Sequence, residues 1–350
     1  YTGRDKNGVH LIYRLVGDSR FCLKKVFSPE HGFGSNELDG EHVADSRINE
    51  LGIDIISLYG KNKKPSIEML KGLDMLIFDI QDVGVRFYTY ISTLRNIMEA
   101  ANEANIPVAV LDRPNYIGSL IEGPDLENGF ESFVGHLPVP LRYGLTPGEL
   151  ALWIKEYYKL SIEVKVYKCT DYDKNMTFDK LGFPWFKPSP SMPDIKTAMV
   201  YPATCFFEGT ELSEGRGTEA PFRNIGAPWI EAENWLEELK PLLPDYISAS
   251  TVEFVPTFSK YENQLCKGIH LEMLTTVPQP VVGIGISLLY SLLQTHPGKV
   301  TFTDRPTLSK PFIDYLAGTD KLRLGLVAGK TPNQIMSELL PKKFCAPSLY

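Results

Sequence analysis

The chain has 350 residues, enough for two domains that each bury a core, and its 43% hydrophobic and 23% charged residues are typical of a globular protein. Its formal net charge of −7 argues against nucleic acid as a partner, and no apolar run approaches the ~20 residues that span a bilayer. The five scattered cysteines show no C-x-x-C spacing, which argues against a disulfide framework and a zinc site. Since the first residue is Tyr1, we expect a processed or trimmed product, from which a signal peptide has been removed or was never present.

Three short apolar runs in the first third of the chain predict β-strands, at residues 21–27, 75–80 and 108–111. Between the last two, Leu94, Ile97, Met98 and Ala101 recur at helical spacing within residues 91–104. A strand, a helix and a second strand in this order are typical of a βαβ unit, whose two strands are parallel. We therefore predict a parallel sheet in this part of the chain.

The rest of the chain continues the alternation of helices and strands. Thr146-Pro147-Gly148-Glu149 carries the N-cap, the first-turn proline and the third-position glutamate of a helix start, and residues 162–169 alternate as a strand does. A proline-rich segment, residues 183–193, predicts a stiff loop, and a glycine-rich stretch follows at residues 208–222. From Trp229 onward the pattern predicts helix, strand, strand and helix, and hence a second α/β domain.

Each of the three predicted strands ends in a cluster of polar residues. The first cluster contains Glu30 and His31, the second spans residues 79–88, and the third spans residues 112–115. Because ligands bind at the carboxyl ends of parallel strands, we expect the three clusters, including Glu30, Asp82 and Asp112, at one edge of the sheet. They would face a cleft closed by residues 183–216, with Pro29 and Gly32 forming a tight turn that directs Glu30 into it.

Each of these residues also has a purely structural interpretation. Glu30 alone is as well explained by a helix cap or an ion pair, and His31 by a hydrogen-bonded spacer. For Asp79 and Asp112 a turn or cap role is favoured. Arg86 and Arg113 are equally compatible with surface ion pairs, which contribute little individually.

Cofactor motifs are absent from the sequence. The glycine-rich stretch does not match a P-loop, and the glycines around Gly283 lie within a helical pattern, so no nucleotide cofactor is expected. Six potential metal ligands crowd one segment, but their spacing matches no metal motif, which favours a solvated loop: Glu30, His31, Asp39, Glu41, His42 and Asp45. No G-x-S-x-G serine motif is present.

Eight segments, taken together and in order, resemble the exo-β-N-acetylmuramidase family of peptidoglycan glycosidases. They are FSPEHGFGS, SLYGKNKKPSIEML, IFDIQDVGVRFYTYIST, LDRPNYIGSLIEGP, FVGHLPVPLRYGLTPGELA, PSPSMP, YPATCFFEGTELSEGRGT and GAPW, and the resemblance covers nearly the whole chain. It implies a Rossmann-like, mostly parallel sheet domain at residues 1–205, a smaller α/β domain at residues 206–350, and an active cleft between them. It also implies an exported enzyme, periplasmic or extracellular, that acts in cell wall turnover.

The activity that the resemblance implies is removal of N-acetylmuramic acid from the non-reducing end of peptidoglycan fragments. Members begin with a strand that leads into an Asn-x-Thr-Gly turn, of which this chain has only Thr2 and Gly3. The glutamate of SPEHG, Glu30, is carried over as the catalytic acid, with His31 beside it. No metal, cofactor or nucleic acid is implied.

Glycoside cleavage also needs a second group, which attacks the anomeric carbon or activates water. The sequence leaves Asp82, Glu208, Glu214 and the substrate's own 2-acetamido group as candidates. The lactyl carboxylate of muramic acid requires a cation, and Arg86, Arg113 and Arg216 lie in the matching motifs. Further candidate substrate-binding residues are Tyr88, Asn115, Glu208 and Glu214, and Tyr88, Phe33 and Trp185 could provide an apolar platform for the sugar.

Two other functions use the same residues. A non-catalytic peptidoglycan-binding module would keep the arginines and aromatic residues but would not need Glu30 to exchange a proton. A metal-dependent hydrolase would be built on the acidic and histidine residues between Glu30 and Asp45. Turnover distinguishes the first from an enzyme, and sensitivity to chelators identifies the second.

Overall fold

The computed structural model describes residues 2–38, 43–342, 344–345 and 347–350. Within these ranges the protein is a mixed α/β fold with three sheets of three strands each. No described helix combines the length and the apolar character needed to cross a membrane. The mixed α/β class with parallel strands is confirmed, whereas the Rossmann-like topology and the domain boundary after residue 205 stay predictions.

Two sheets form in the first half of the chain, where a single sheet was predicted. In the first, β1 (Lys25–Ser28) pairs in parallel with β3 (Ile53–Ser57), and β2 (Ser46–Ile48) pairs antiparallel with the other side of β3. In the second, β4 (Leu76–Phe78), β5 (Val108–Leu111) and β6 (Val164–Tyr167) are all parallel. A groove lined by residues of both β1 and β4 lies between the sheets, and no hydrogen-bonded pairing joins these two strands in the described residues.

Two short helices that were not predicted, α1 (Leu11–Val16) and α2 (Ile67–Leu70), precede and follow the strands of the first sheet along the chain. Helix α3 (Tyr90–Ala104) buries its predicted apolar face, including Leu94, Met98 and Ala101, against β4 and β5. Helix α4 (Pro147–Tyr157) begins at the predicted capping box, in which Thr146 and Glu149 bond reciprocally. The βαβ unit from β4 through α3 to β5 is thus confirmed.

The second half contains the third sheet and most of the remaining helices. Strands β7 (Asn224–Ala227), β8 (Ile247–Phe254) and β9 (Cys266–Met273) form an antiparallel sheet with β9 in the centre. The helices around it are α5 (Ile195–Thr204), α6 (Ala232–Leu239), α7 (Val282–Thr295), α8 (Phe312–Ala317), α9 (Lys321–Val327) and α10 (Pro332–Glu338). Residues 183–193 form no helix or strand, as their prolines predict.

The largest hydrophobic core joins the two halves of the chain. Val83, Phe87 and Tyr88, which follow β4, pack in one cluster with residues of α5, β7, β9, α7 and α8. This shared core fixes the loop after β4 against the second half, so side chains from both halves can line one cavity.

Candidate active site

A cavity of about 560 Å³ lies between the two halves, a size typical of small-molecule sites. The segment after β1 contributes Glu30 and His31, and the segment after β4 contributes Phe87, Tyr88 and Thr89. The second half contributes residues from four places along the chain: Tyr201, Cys205, Glu208, Glu214, Arg216, Phe258, Ser259, Lys260, Arg305, Phe312 and Leu316. The remaining lining residues are Leu38, Tyr59, Lys63, Phe133 and Val134.

Glu30 is directed into this cavity by the turn that its neighbours predict. The amide of Gly32 donates to the carbonyl of Pro29 at 3.1 Å, and both His31 and Gly32 have positive φ, 69° and 71°. A positive φ is costly for a residue with a side chain, so the conformation of His31 is maintained by its surroundings. Glu30 itself is only 6% exposed.

The carboxyl group of Glu30 is held by residues from other elements. The Thr89 hydroxyl, just before α3, donates to Glu30 Oε2 at 2.6 Å, which joins the first polar cluster to the residue that directly follows the second. Burial raises the pKa of Tyr59, and the charge of Glu30 and a hydrogen bond with it raise that pKa further. Tyr59 therefore remains a phenol that can donate a hydrogen bond to Glu30 at neutral pH.

His31 is buried beside Glu30 as a neutral ring. Burial lowers its pKa, and the adjacent Glu30 carboxylate only partly opposes this. His31 Nδ1 lies 2.9 Å from the carbonyl oxygen of Glu37. Because a carbonyl can only accept, Nδ1 carries the hydrogen, and Nε2 is then the acceptor nitrogen of the neutral ring.

Four charged residues of the second half form a network on another wall of the cavity. Arg216 contacts Glu208 at 2.9 Å and Glu214 at 3.0 Å, and Lys260 contacts Glu214 at 2.9 Å. Burial and the neighbouring Glu214 raise the pKa of Glu208 to about 7. Burial lowers the pKa of Arg216 to about 9, so the guanidinium stays charged at neutral pH. Glu208 is thus a carboxyl group that can either give or take a proton near pH 7.

Six of the ten predicted site residues line the cavity: Glu30, His31, Tyr88, Glu208, Glu214 and Arg216. The other four, Asp82, Arg86, Arg113 and Asn115, do not. Of residues 183–216, predicted to close the cleft, the part from 201 to 216 contributes to the lining and the proline-rich part, residues 183–193, does not. Phe33 packs against His10, and Trp185 against Tyr116 and Phe178, so these two rings are not part of the cavity wall.

The four predicted site residues that do not line the cavity have structural partners instead. Arg86 is fully buried and donates to the carbonyls of Pro124, Val139 and Ala317 at 2.6–2.9 Å. Arg113 pairs with Asp79 at 2.5 Å, which joins the ends of β4 and β5. Asn115 donates to the carbonyl of Leu145 at 3.0 Å and accepts from the amide of Ile117 at 3.1 Å.

Asp112 takes the capping role favoured from the sequence. Its carboxylate accepts from the amide of Gly148 at 2.7 Å and from the Thr146 hydroxyl at 2.8 Å, at the start of α4. The third polar cluster therefore supports the fold near the sheet edge without reaching the cavity. Of the crowded segment between Glu30 and Asp45, the residues Asp39, Glu41 and His42 lie outside the described residues.

Asp82 lies behind the cavity wall in a fully enclosed position. Its Oδ2 accepts from the amide of Gly84 at 2.7 Å and from the Tyr143 hydroxyl. Burial raises the pKa of Asp82 to about 6, although these hydrogen bonds oppose the shift. Between about pH 4 and pH 6, the native protein keeps a proton on Asp82 that the unfolded chain has already released. The contribution of Asp82 therefore lowers the free energy of unfolding as the pH rises through this range.

We therefore expect Asp82→Asn to become more stable relative to the wild type as the pH increases. From pH 5 to pH 7.5, the difference in unfolding free energy should shift in favour of the variant by about 1 kcal/mol. Urea unfolding at the two pH values measures this shift, and Asp54→Asn, at an exposed carboxylate, serves as control. A pH-independent difference would show that Asp82 is ionised throughout.

Sequence reasoning missed several residues of the cavity. Thr89 and Tyr59 lie within segments that resemble the muramidases. Their hydroxyl groups contact a carboxyl group that is distant in the sequence, and no local sequence pattern indicates such a contact. Lys260 and Arg305 lie in loops without any motif. Only the three-dimensional packing of the two halves brings these residues together.

Comparison with known proteins gives a consistent result for both halves of the chain. Residues 1–196 match the family model described as the N-terminal part of exo-β-N-acetylmuramidase NamZ, and residues 199–343 match the model of its C-terminal part. The chain belongs to the NamZ family. The resemblance found in the eight sequence segments is thereby confirmed.

Individual proteins are similar to this chain over nearly its whole length. The peptidoglycan β-N-acetylmuramidase NamZ of Bacillus subtilis (strain 168) is 40% identical over 333 residues, which cover 95% of this chain and 78% of the relative. Two crystal structures of DUF1343 family proteins from Bacteroides fragilis NCTC 9343 are each 30% identical. The first has a TM-score of 0.86 with 97% and 87% of the two chains covered, and the second 0.70 with 96% and 86%.

Proposed function

We propose that this protein is a glycoside hydrolase that removes β-1,4-linked N-acetylmuramic acid from the non-reducing end of peptidoglycan fragments, with Glu30 as the general acid. Membership of the NamZ family and the 40% identity to a peptidoglycan β-N-acetylmuramidase support the activity. The position of Glu30 carries the residue assignment. It is a buried carboxyl group that lines the cavity, oriented by Thr89, and faces a space shared with two further glutamates.

The chemistry divides between the two halves of the cavity. Glu30 donates a proton to the glycosidic oxygen as the bond to the anomeric carbon breaks. Positive charge then develops on the sugar. Glu208 and Glu214, which belong to the charged network on another wall of the cavity, are the candidates for stabilising this charge or for activating water. The substrate's 2-acetamido group remains a third candidate. Asp82 is a supporting residue in this proposal, since it does not line the cavity.

Aromatic rings on the cavity wall suit the apolar face of a sugar. They come from both halves of the chain and include Tyr59, Phe87, Tyr88, Phe133, Tyr201, Phe258 and Phe312. We further propose that residues 1–205 form the catalytic domain and residues 206–350 an auxiliary domain that completes the cavity. As a member that acts on peptidoglycan, the protein is proposed to be exported and to serve in cell wall turnover.

The activity is tested with aryl β-N-acetylmuraminide and aryl β-N-acetylglucosaminide side by side. We expect release of the aryl group from the muraminide, with a much slower reaction of the glucosaminide. With peptidoglycan-derived oligosaccharides, the expected product is free N-acetylmuramic acid. Binding of the muraminide without turnover would instead indicate a binding module, and loss of turnover on addition of a chelator would indicate a metal-dependent hydrolase.

A further inference from the structure

Three carboxyl groups of the described residues line the cavity, and two of its cations belong to the same charged network. Glu30, Glu208 and Glu214 are opposed by Arg216 and Lys260. Lys260 Nζ donates to the carbonyls of Phe207 and Leu212 and to Glu214, each at 2.9 Å, so its three hydrogens are used. Since Arg216 and Lys260 are already paired with glutamates, an anionic group of the substrate would be bound best by another cation.

Two more cations line the cavity, Lys63 and Arg305. Among the described residues, neither is found in an ion pair with a carboxylate, in contrast to Arg216 and Lys260. Lys63 Nζ lies 4.4 Å from the centre of the Phe133 ring. The positive charge of Lys63 helps to lower the pKa of His136, a histidine that does not line the cavity.

Arg305 stacks on an aromatic ring, and its charge acts on groups that surround Glu30. Its guanidinium carbon lies 3.9 Å from the centre of the Phe312 ring, and Phe312 is a buried residue of α8. The charge of Arg305 acts on Tyr59, which bonds to Glu30, and on Glu208 and Arg216. Arg305 therefore adds positive potential to the part of the cavity that holds the carboxyl groups.

The loop that carries Arg305 is fixed on both sides. The amide of Thr303 donates to the carbonyl of Gly209 at 2.9 Å, and the amide of Phe312 donates to the carbonyl of Thr303 at 2.8 Å. Gly209 lies next to Glu208, so this loop is attached directly to the charged network. These bonds anchor the backbone on both sides of Arg305, and the contact with Phe312 restricts its exposed side chain, which reduces the entropy cost of binding.

We propose that Arg305 binds the lactyl carboxylate of the terminal N-acetylmuramic acid and so determines specificity for muramic acid over N-acetylglucosamine. This inference rests on the proposed function. A guanidinium stacked on a phenyl ring keeps its donor edge available for a carboxylate, which it can bind through two parallel hydrogen bonds. N-Acetylglucosamine lacks the lactyl group and gains nothing from this contact.

The test compares three substrates: the aryl β-N-acetylmuraminide, the same compound with its lactyl carboxylate converted to a primary amide, and the aryl β-N-acetylglucosaminide. The wild type should prefer the acid. In Arg305→Ala, kcat/KM for the acid should fall roughly 10- to 100-fold, as expected for loss of a charged hydrogen bond, with little change for the two neutral substrates. Arg305→Lys should retain part of the preference, since it keeps the charge but not the planar fork.

Two matched variants make the result specific. Lys63→Ala removes the other cation that lines the described part of the cavity without an ion pair to a carboxylate. It should keep the wild-type ratio of kcat/KM for the acid to kcat/KM for the amide. Arg20→Ala removes a guanidinium that also lies over a phenyl ring, that of Phe21 at 5.9 Å, but outside this cavity, and should leave the kinetics unchanged.

The outcomes separate this inference from the proposed function. If the wild type prefers the acid to the amide and Arg305→Ala and Arg305→Lys both keep that ratio, Arg305 does not bind the carboxylate and the inference is overturned. Loss of the ratio in Lys63→Ala alone overturns it as well. If the wild type cleaves none of the three glycosides, the proposed function itself fails.

Discussion

Glu30→Gln is expected to reduce kcat on a natural saccharide by ~10²–10⁴-fold, the contribution that general acid catalysis typically makes. Glutamine keeps the shape of the side chain and can still accept the hydrogen bond that Thr89 donates at 2.6 Å. It cannot transfer a proton to the glycosidic oxygen. Substrate affinity should therefore stay close to that of the wild type, which isothermal titration with the saccharide measures.

The size of the loss should depend on the leaving group. A sugar leaves as a poor alkoxide unless it is protonated, whereas an activated aryl group leaves readily without a proton. Glu30→Gln should consequently recover part of its activity on aryl muraminides. Equal losses on saccharide and aryl substrates would show that Glu30 acts as a nucleophile, a positioning group or a structural cap.

Glu208→Gln is the matched control, because both glutamates line the same cavity. Burial and Glu214 raise the pKa of Glu208 to about 7, so an alkaline decline of kcat near that pH is expected from Glu208 if it is the acid. If Glu30 is the acid, the alkaline limb of the profile should vanish in Glu30→Gln and persist in Glu208→Gln. The reverse pattern would transfer the acid role to Glu208.

Local features of the fold were predictable because their causes lie within a few residues. The helix that begins after Thr146 is specified by its capping box, and the strand at β5 by its apolar run. The turn that directs Glu30 into the cavity follows from Pro29 and Gly32 on either side. In each case the sequence pattern and the hydrogen bonds that satisfy it lie in the same segment.

The division into sheets was not predictable in the same way. The polar clusters after β1 and β4 do share one cavity, through Glu30 and Tyr88, yet the strands themselves belong to different sheets. Strand pairing depends on contacts between distant segments, and apolar runs do not identify their partners. Helical spacing, by contrast, is visible within one segment, as in α3.

The arginines show why the site was only partly predictable. Arg86, Arg113 and Arg216 all lie in segments that resemble the muramidases, but only Arg216 lines the cavity, where Glu208 and Glu214 already neutralise it. Arg305 lies outside those segments. A sequence shows which residues carry charge, whereas burial and partners determine whether that charge can meet a substrate.

Arg86→Ala should unfold the protein far more readily than the wild type while leaving substrate preference intact in the folded fraction. Arg86 has no exposed surface, and the carbonyls to which it donates belong to residues 38, 53 and 231 positions away in the sequence. One of them is Ala317, at the end of α8. The next residue, Gly318, has φ +75°, and a Cβ added to it would clash with Arg86 Nη2. The guanidinium and the helix end thus fit closely.

Removal of Arg86 takes a charged donor away from those buried carbonyls and opens a cavity, so we expect a loss of about 4 kcal/mol or more in the free energy of unfolding, measured by urea denaturation. Arg86→Met, which fills more of the space, should lose somewhat less. Arg47→Met, which breaks an exposed ion pair with Asp54, should cost no more than about 0.5 kcal/mol. If Arg86→Met instead keeps wild-type stability and loses the preference for muraminide, Arg86 contacts the substrate and its burial in this structure does not persist during catalysis.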